Sequence, residues 1–256
     1  MIPLKEQDAI RQKFAMELIA PVKIDYFTEK ESKVDVPGKT PCAYCKPTQN
    51  MLQELSGLSD LISLRIHYLD EAEEERTRFG IDRVPGIVLR GRKKQFVRYY
   101  GIPGGTEFPA FLESIVDISR DEVLLSEEST KALEELANDV SVRVFVTPTC
   151  GYCPQMVQAS YQMALVSEKV HVEVYEVNEF PDLAEKYKVE AVPLTVINDS
   201  VSIPGALPEQ QLVERVVEAS ATSKPPAGAI PSARTPDAPP QPVKRGEERS
   251  SGLYIP

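Results

Sequence analysis

Four cysteines fall in two Cys-x-x-Cys pairs, Cys42-Ala43-Tyr44-Cys45 and Cys150-Gly151-Tyr152-Cys153, with none left over. A cysteine attacks only as thiolate, and a second thiol three residues on can resolve the mixed disulfide that results. Turn-type residues precede each pair (Thr40-Pro41 and Pro148-Thr149), and a helical pattern follows it. Unpaired N–H groups and the dipole at a helix start stabilise an anion. The spacing therefore makes Cys42 and Cys150 the attacking thiols and Cys45 and Cys153 the resolving ones. A Val-Pro dipeptide follows each pair at one distance: Pro85 lies 43 residues after Cys42, and Pro193 lies 43 after Cys150. X-Pro bonds admit the cis form. Val84-Pro85 and Val192-Pro193 are therefore two bonds able to take that rare geometry.

The elements that must hold these residues occur twice. Phe79-Gly80-Ile81-Asp82-Arg83-Val84-Pro85 and Tyr187-Lys188-Val189-Glu190-Ala191-Val192-Pro193 share one pattern without gaps, offset by 108 residues. That is a domain-sized period, too long for a solenoid repeat. Apolar periodicity predicts helix 7–20, strand 22–27, helix 42–55, strand 61–69, helix 71–79, a hairpin of 87–89 with 96–100, and helix 108–118. The second copy repeats the order: helix 130–138, strand 142–146, helix 152–167, strand 170–177, helix 182–187, strands 194–197 and 201–203, and helix 209–219. The run Glu71-Ala72-Glu73-Glu74-Glu75 reads as a solvated first turn of its helix. The fold class is α/β, with a mixed central sheet flanked by helices in each copy. The division expected is 1–121 for the first domain and 122–220 for the second. Residues 221–256 hold 8 of the 22 prolines. With few large apolar side chains they are expected to form a disordered tail. Its end, Gly252-Leu253-Tyr254-Ile255-Pro256, reads either as a solvated terminus or as a docking peptide.

Composition narrows the function. The net charge is −10 and the hydrophobic content 42%, which suits globular cores and argues against nucleic acid as a partner. No basic n-region with an apolar stretch opens the chain, and no run approaches a membrane span. A cytoplasmic location is expected, where Cys-x-x-Cys means redox chemistry or metal binding more often than a structural disulfide.

The chain resembles the thioredoxin superfamily. More closely, it is similar to the tandem, glutaredoxin-like protein disulfide oxidoreductases of prokaryotes. The residues that carry this are Cys42 to Cys45, Ile81 to Pro85, Tyr99-Tyr100-Gly101-Ile102-Pro103-Gly104-Gly105-Thr106-Glu107-Phe108, Val116 to Arg120, Val144 to Pro154 and Ala191 to Pro193. The resemblance implies two thioredoxin folds, with Pro85 and Pro193 cis in loops that face the cysteines and Val84 and Val192 offering backbone groups to an extended substrate segment. It implies an enzyme that reduces, oxidises and rearranges protein disulfides without a bound cofactor, served by a thioredoxin-reductase-type flavoenzyme. Tyrosine in third place of each pair is glutaredoxin-like, implying a poise of roughly −200 to −230 mV. No clear glutathione-binding signature accompanies it.

The copies differ. Only the first carries an added stretch, 29–40, before its cysteines; this reads as a loop beside the site or as a tolerated surface insertion. Lys39 and Lys46 flank the first pair, which favours ionisation of Cys42 over Cys150. Asp25, in Ile24-Asp25-Tyr26-Phe27, matches a buried aspartate of the thioredoxin strand, with Val144 as its counterpart. An acid buried there without a partner would have a raised pKa and could relay a proton to Cys45. His67 and His171 lie far from either pair in sequence, unsuited to a cysteine–histidine dyad. Three rivals remain: a zinc site from the four cysteines, a non-catalytic interaction scaffold, and a dedicated reductant of a peroxiredoxin-type partner.

Overall fold

The computed structural model describes residues 2–30 and 41–222. Most of the 29–40 insertion, including Lys39, and the tail from 223 onward lie outside these residues. The first copy comprises α1 (Leu4–Glu17), β1 (Val22–Thr28), α2 (Cys45–Ser56), β2 (Ile62–Tyr68), α3 (Glu73–Phe79), β3 (Gly86–Arg90), β4 (Phe96–Tyr100) and α4 (Glu107–Arg120). The second comprises α5 (Glu127–Glu134), β5 (Val140–Val146), α6 (Cys153–Val166), β6 (Val170–Glu176), α7 (Pro181–Lys186), β7 (Leu194–Ile197), β8 (Val201–Pro204) and α8 (Glu209–Thr222). Each cysteine helix begins at the second cysteine, three residues later than the periodicity suggests in the first copy and one later in the second, because Ala43-Tyr44 and Gly151-Tyr152 form turns.

Local chemistry sets the ends. Ser126 caps α5 by accepting from the Ser129 N–H at 3.2 Å, the usual role of serine before a first turn. Gly80 ends α3 at φ 62°, where a side chain would be strained.

The two copies do not build separate sheets. All eight strands form one sheet in the order β2-β1-β3-β4-β6-β5-β7-β8. The join is the parallel pairing of β4 with β6: Arg98 opposite Glu173, Tyr99 opposite Val174, Tyr100 opposite Tyr175. Three layers result. Helices α1, α2, α4, α5, α6 and α8 send Phe14, Leu52, Leu55, Ile115, Leu133, Met163, Leu212 and Val216 into one core that runs across both halves. The short α3 and α7 cover the other face, where Phe79 and Leu183 pack with Phe27, Tyr100, Phe145 and Tyr175. At the join, Tyr100 and Tyr175 stack at 4.6 Å with planes 4° apart.

Register corrects the reading of Asp25. The residue after each proline, Gly86 or Leu194, pairs with Phe27 or Phe145. The counterpart of Val144 is thus Tyr26, and that of Asp25 is Arg143. Strand side chains alternate between faces. Tyr26 points toward α2, with its hydroxyl donating to the Cys45 carbonyl at 2.6 Å. Asp25 points to the α3 face. It is buried, as expected of that strand position, but not alone: Arg90 Nε lies 2.7 Å from Oδ2 and His67 Nε2 2.9 Å from Oδ1. A carboxylate on the far side of the sheet, already bonded on both oxygens, cannot relay a proton to Cys45. Removing one partner of a buried ion pair leaves an uncompensated charge. Asp25→Asn is expected to cost about 3 kcal/mol in chemical denaturation while leaving the pH–rate profile of disulfide exchange unchanged.

Candidate active sites

Each cysteine pair is a closed disulfide, Cys42–Cys45 at 2.07 Å and Cys150–Cys153 at 2.02 Å. The pairs occupy equivalent places, after the C-terminal ends of β1 and β5 and at the starts of α2 and α6. In each, the first cysteine is half-buried and the second buried. Only the first can meet a sulfur on another molecule, while the second is held beneath it. The Cys153 N–H donates to Cys150 Sγ at 3.1 Å, the kind of helix-start bond that favours a thiolate. Tyr44 and Tyr152 stand exposed between the cysteines of each pair.

Val84-Pro85 and Val192-Pro193 are both cis, in keeping with the sequence expectation. The carbonyls of Pro85 and Pro193 are bonded to the N–H groups of Gly101 and Gly205. Among the described residues, the backbones of Val84 and Val192 make no such bond. Val192 and Cys150 both pack, half-buried, against the larger core.

Strand directions fix how the two sites face. β1 and β4 run the same way through antiparallel β3, β4 is parallel to β6, and β6 to β5. β1 and β5 therefore point alike, and both cysteine pairs open at one edge of the sheet on the six-helix face. Four strand spacings separate β1 from β5, about 19 Å at roughly 4.8 Å each. Sulfurs that far apart cannot exchange directly with each other.

A thioredoxin-domain family profile matches residues 140–218. Thioredoxin of Methanocaldococcus jannaschii is 35% identical over 78 residues, 30% of this chain and 92% of that protein. The chain belongs to the thioredoxin superfamily. It is also 24% identical over 174 residues to the F subunit of alkyl hydroperoxide reductase from Pseudomonas putida, a match that covers 68% of this chain but only 32% of that protein. Among solved structures, a protein disulfide oxidoreductase from Aeropyrum pernix K1 superposes with a TM-score of 0.74 at 26% identity, covering 86% of this chain and 94% of that one. This superfamily member has a tandem thioredoxin-fold architecture with two Cys-x-x-Cys centres suited to thiol–disulfide exchange, and it spans about a third of the length of the alkyl hydroperoxide reductase F subunits it matches. Among the described residues, no group of three or more His, Cys, Asp or Glu side chains could hold a metal ion. No helix among them is long and apolar enough to cross a membrane.

Next to the loop that touches the second cysteine pair lies a buried acid that sequence reasoning missed. The loop 101–106 reaches from the first half onto the second cysteine pair. Thr106 Oγ1 donates to the Cys150 carbonyl at 2.9 Å, and its N–H to the Pro148 carbonyl at 2.8 Å. Gly105, at φ 57°, lies so close that a Cβ would sit 2.1 Å from the Pro148 oxygen. The next residue, Glu107, starts α4, which packs on α6. Glu107 is 1% exposed, and neither carboxylate oxygen has a hydrogen-bond partner. Burial pushes its pKa up to about 7. Nearby, burial also raises Glu179 to about 7, opposed by the Ile102 N–H it accepts at 2.7 Å. The segment Gly101 to Phe108 stands out as a family-like motif, but nothing in one sequence says that its glutamate is buried.

The first pair has a different neighbour. The Glu29 carboxylate accepts the Cys42 N–H. It sets a negative charge beside the sulfur, against the pull of Lys46. Lys46 is exposed, so solvent screens its charge, whereas Glu29 acts at the cysteine backbone itself. Glu29→Gln is expected to lower the Cys42 thiol pKa by about 1, read from the pH dependence of iodoacetamide alkylation in a Cys45→Ser background; an unchanged value refutes the coupling. For Glu107 the sign follows from the raised pKa: the folded state keeps a proton that the unfolded chain releases above about 4.5. Its contribution to stability is greatest at low pH and is lost as pH rises through about 7. Glu107→Gln is expected to flatten that fall by up to about 3 kcal/mol in denaturation midpoints followed with pH.

Proposed function

We propose that the chain reduces, forms and rearranges disulfides in protein substrates at both cysteine pairs. The observation that carries this reading is the paired arrangement at each site: a half-buried cysteine over a buried one, closed as a disulfide at the start of a helix, with a cis Val-Pro bond 43 residues on. An extended substrate segment adds to Val84 or Val192 in β fashion, bringing its disulfide to the outer cysteine. In reduction, the Cys150 thiolate attacks one substrate sulfur. The Cys150–substrate bond forms, the substrate S–S bond breaks, and the departing sulfur takes a proton. The Cys153 thiolate then attacks Cys150 Sγ, releases the second substrate sulfur and leaves the Cys150–Cys153 disulfide. Two electrons have passed to the substrate. Cys42 and Cys45 act likewise, and oxidation runs the steps backward. Cys153 must lose its proton inside the protein to attack. We assign that proton to Glu107, a buried base titrating near 7 against the same helix pair. A thioredoxin-reductase-type flavoenzyme supplies the electrons. Residues 1–121 and 122–220 form the two catalytic units.

A second reading draws on the match to the F subunit of alkyl hydroperoxide reductase, which spans about two thirds of this chain. In it the chain is a dedicated reductant, handing electrons to a peroxiredoxin-type partner through the same cysteines. The two readings share chemistry and differ only in substrate.

Insulin-disulfide reduction separates them. With dithiothreitol, and with NADPH plus a thioredoxin reductase, the wild type is expected to turn over. Cys42→Ser and Cys150→Ser should each lose part of the rate, and the double variant all of it. Glu107→Gln should lose the limb of the pH–rate profile near pH 7 only where Cys150 carries the reaction. Turnover of a peroxiredoxin without insulin reduction favours the dedicated reductant, and no activity toward either overturns both.

A further inference from the structure

On the face away from the cysteines, a cavity of about 440 Å³ lies over the β4–β6 join. That is a ligand-sized volume. It is lined by five cations, Arg76, Arg83, Arg98, Arg143 and Lys186, against three acids, Asp82, Glu173 and Asp199. The excess of positive charge stands out in a chain of net charge −10. All three acids are already engaged: Asp82 with Arg83, Glu173 with Arg98 and Arg143, Asp199 with Arg143. Among the described residues, no carboxylate pairs with Arg76 or Lys186, both exposed at the rim.

The floor is polar and unsatisfied. Arg98 is 3% exposed, and its Nε has no hydrogen-bond partner. Ser141 Oγ and His171 Nε2 are buried and unbonded as well. The carboxylate nearest His171 is Asp139, at 3.7 Å, beyond hydrogen-bond reach. Register brings the three together. Arg98, Glu173 and Arg143 lie in one row across β4, β6 and β5; His171 and Ser141 lie in the row two residues earlier, on the same face. Burial, and then Arg98, lower the His171 pKa, against the pull of Asp139. Buried donors without acceptors are costly. Arg98, Ser141 and His171 all line the cavity, and a guanidinium, a hydroxyl and an imidazole on one floor suit the acceptor oxygens of an oxyanion.

We propose that this cavity binds a small polyanion, its phosphate-like head held by Arg98, Ser141 and His171 and its outer charge met by Arg76 and Lys186. Because its walls come from α3, β4, β5, β6 and α7, the bound anion ties the two halves together.

The test is calorimetric titration of the full chain with inorganic pyrophosphate, at an ionic strength held constant with chloride. Saturable one-to-one binding is expected. Arg76→Ser/Lys186→Ser, which alters only exposed rim residues, should weaken it about 10-fold or more while leaving insulin reduction unchanged. Ser141→Ala, which removes one floor donor, should weaken it several-fold. Thermal unfolding without pyrophosphate checks that both variants fold. Absence of saturable binding overturns the proposal. So does an unchanged affinity in either folded variant, which would put the anion elsewhere on the surface.

Discussion

The parallel pairing of β4 with β6 is the constraint on which the arrangement of this molecule rests. Only three residue pairs make it. A ladder that short is weak alone, and parallel pairing adds less per residue than antiparallel. Side chains on both faces complete it. On one face Tyr100 stacks on Tyr175, Arg98 meets Glu173, and Arg83 reaches Asp182 at 3.1 Å. On the other, the Tyr161 hydroxyl donates to the Arg98 carbonyl at 3.2 Å, and α4 lies against α6. A core continuous across the join means that sliding one half past the other would open both faces at once.

From this follow the common direction and common face of the two cysteine helices. Duplication alone does not require it; two domains joined by a linker could face anywhere. Here one sheet orients β1 and β5 alike, so both sites look out from the same edge about four strands apart. The join also breaks the equivalence of the sites. The loop 101–106 runs from the end of the joining strand β4 onto the second cysteine pair, bringing Thr106 and Glu107 with it. The first pair has instead Glu29, from the end of its own β1. The same strand positions carry opposite charge in the two halves: Asp25 is met by Arg90 and His67, and its counterpart Arg143 by Glu173 and Asp199.

Much of this was legible in the residues. The elements, their order and the cysteine and proline positions follow from periodicity and spacing, because those are local properties that one strand or helix imposes on its own sequence. The cis geometry of Pro85 and Pro193 was legible through the family resemblance, since a Val-Pro dipeptide alone only permits it. Illegible were the features that depend on which strands become neighbours. Nothing in Phe96 to Tyr100 says that it will pair with a strand of the other copy. The burial of Glu107 follows only once α4 is set against α6. The misplacement of Asp25 has the same root. Counting back from the cysteines across a copy with an insertion shifts the comparison by one residue, and one residue in a strand exchanges the two faces. Counting from the prolines, where no insertion intervenes, puts Phe27 with Phe145 and Tyr26 with Val144.

The two faces of the sheet thus serve different chemistry. The six-helix face carries the sulfurs, with carboxylates that gain protons near neutral pH because burial, not pairing, governs them. On the two-helix face, at the join, the charged rows of β4, β6 and β5 form the floor of a cavity. Strand alternation couples these faces along β4: Arg98 lines the cavity, Tyr99 turns toward the acids on the sulfur side, and Tyr100 stacks across the join. A change in how the halves sit would therefore reach the cavity, the buried Glu107 and the aromatic stack through three consecutive residues of one strand.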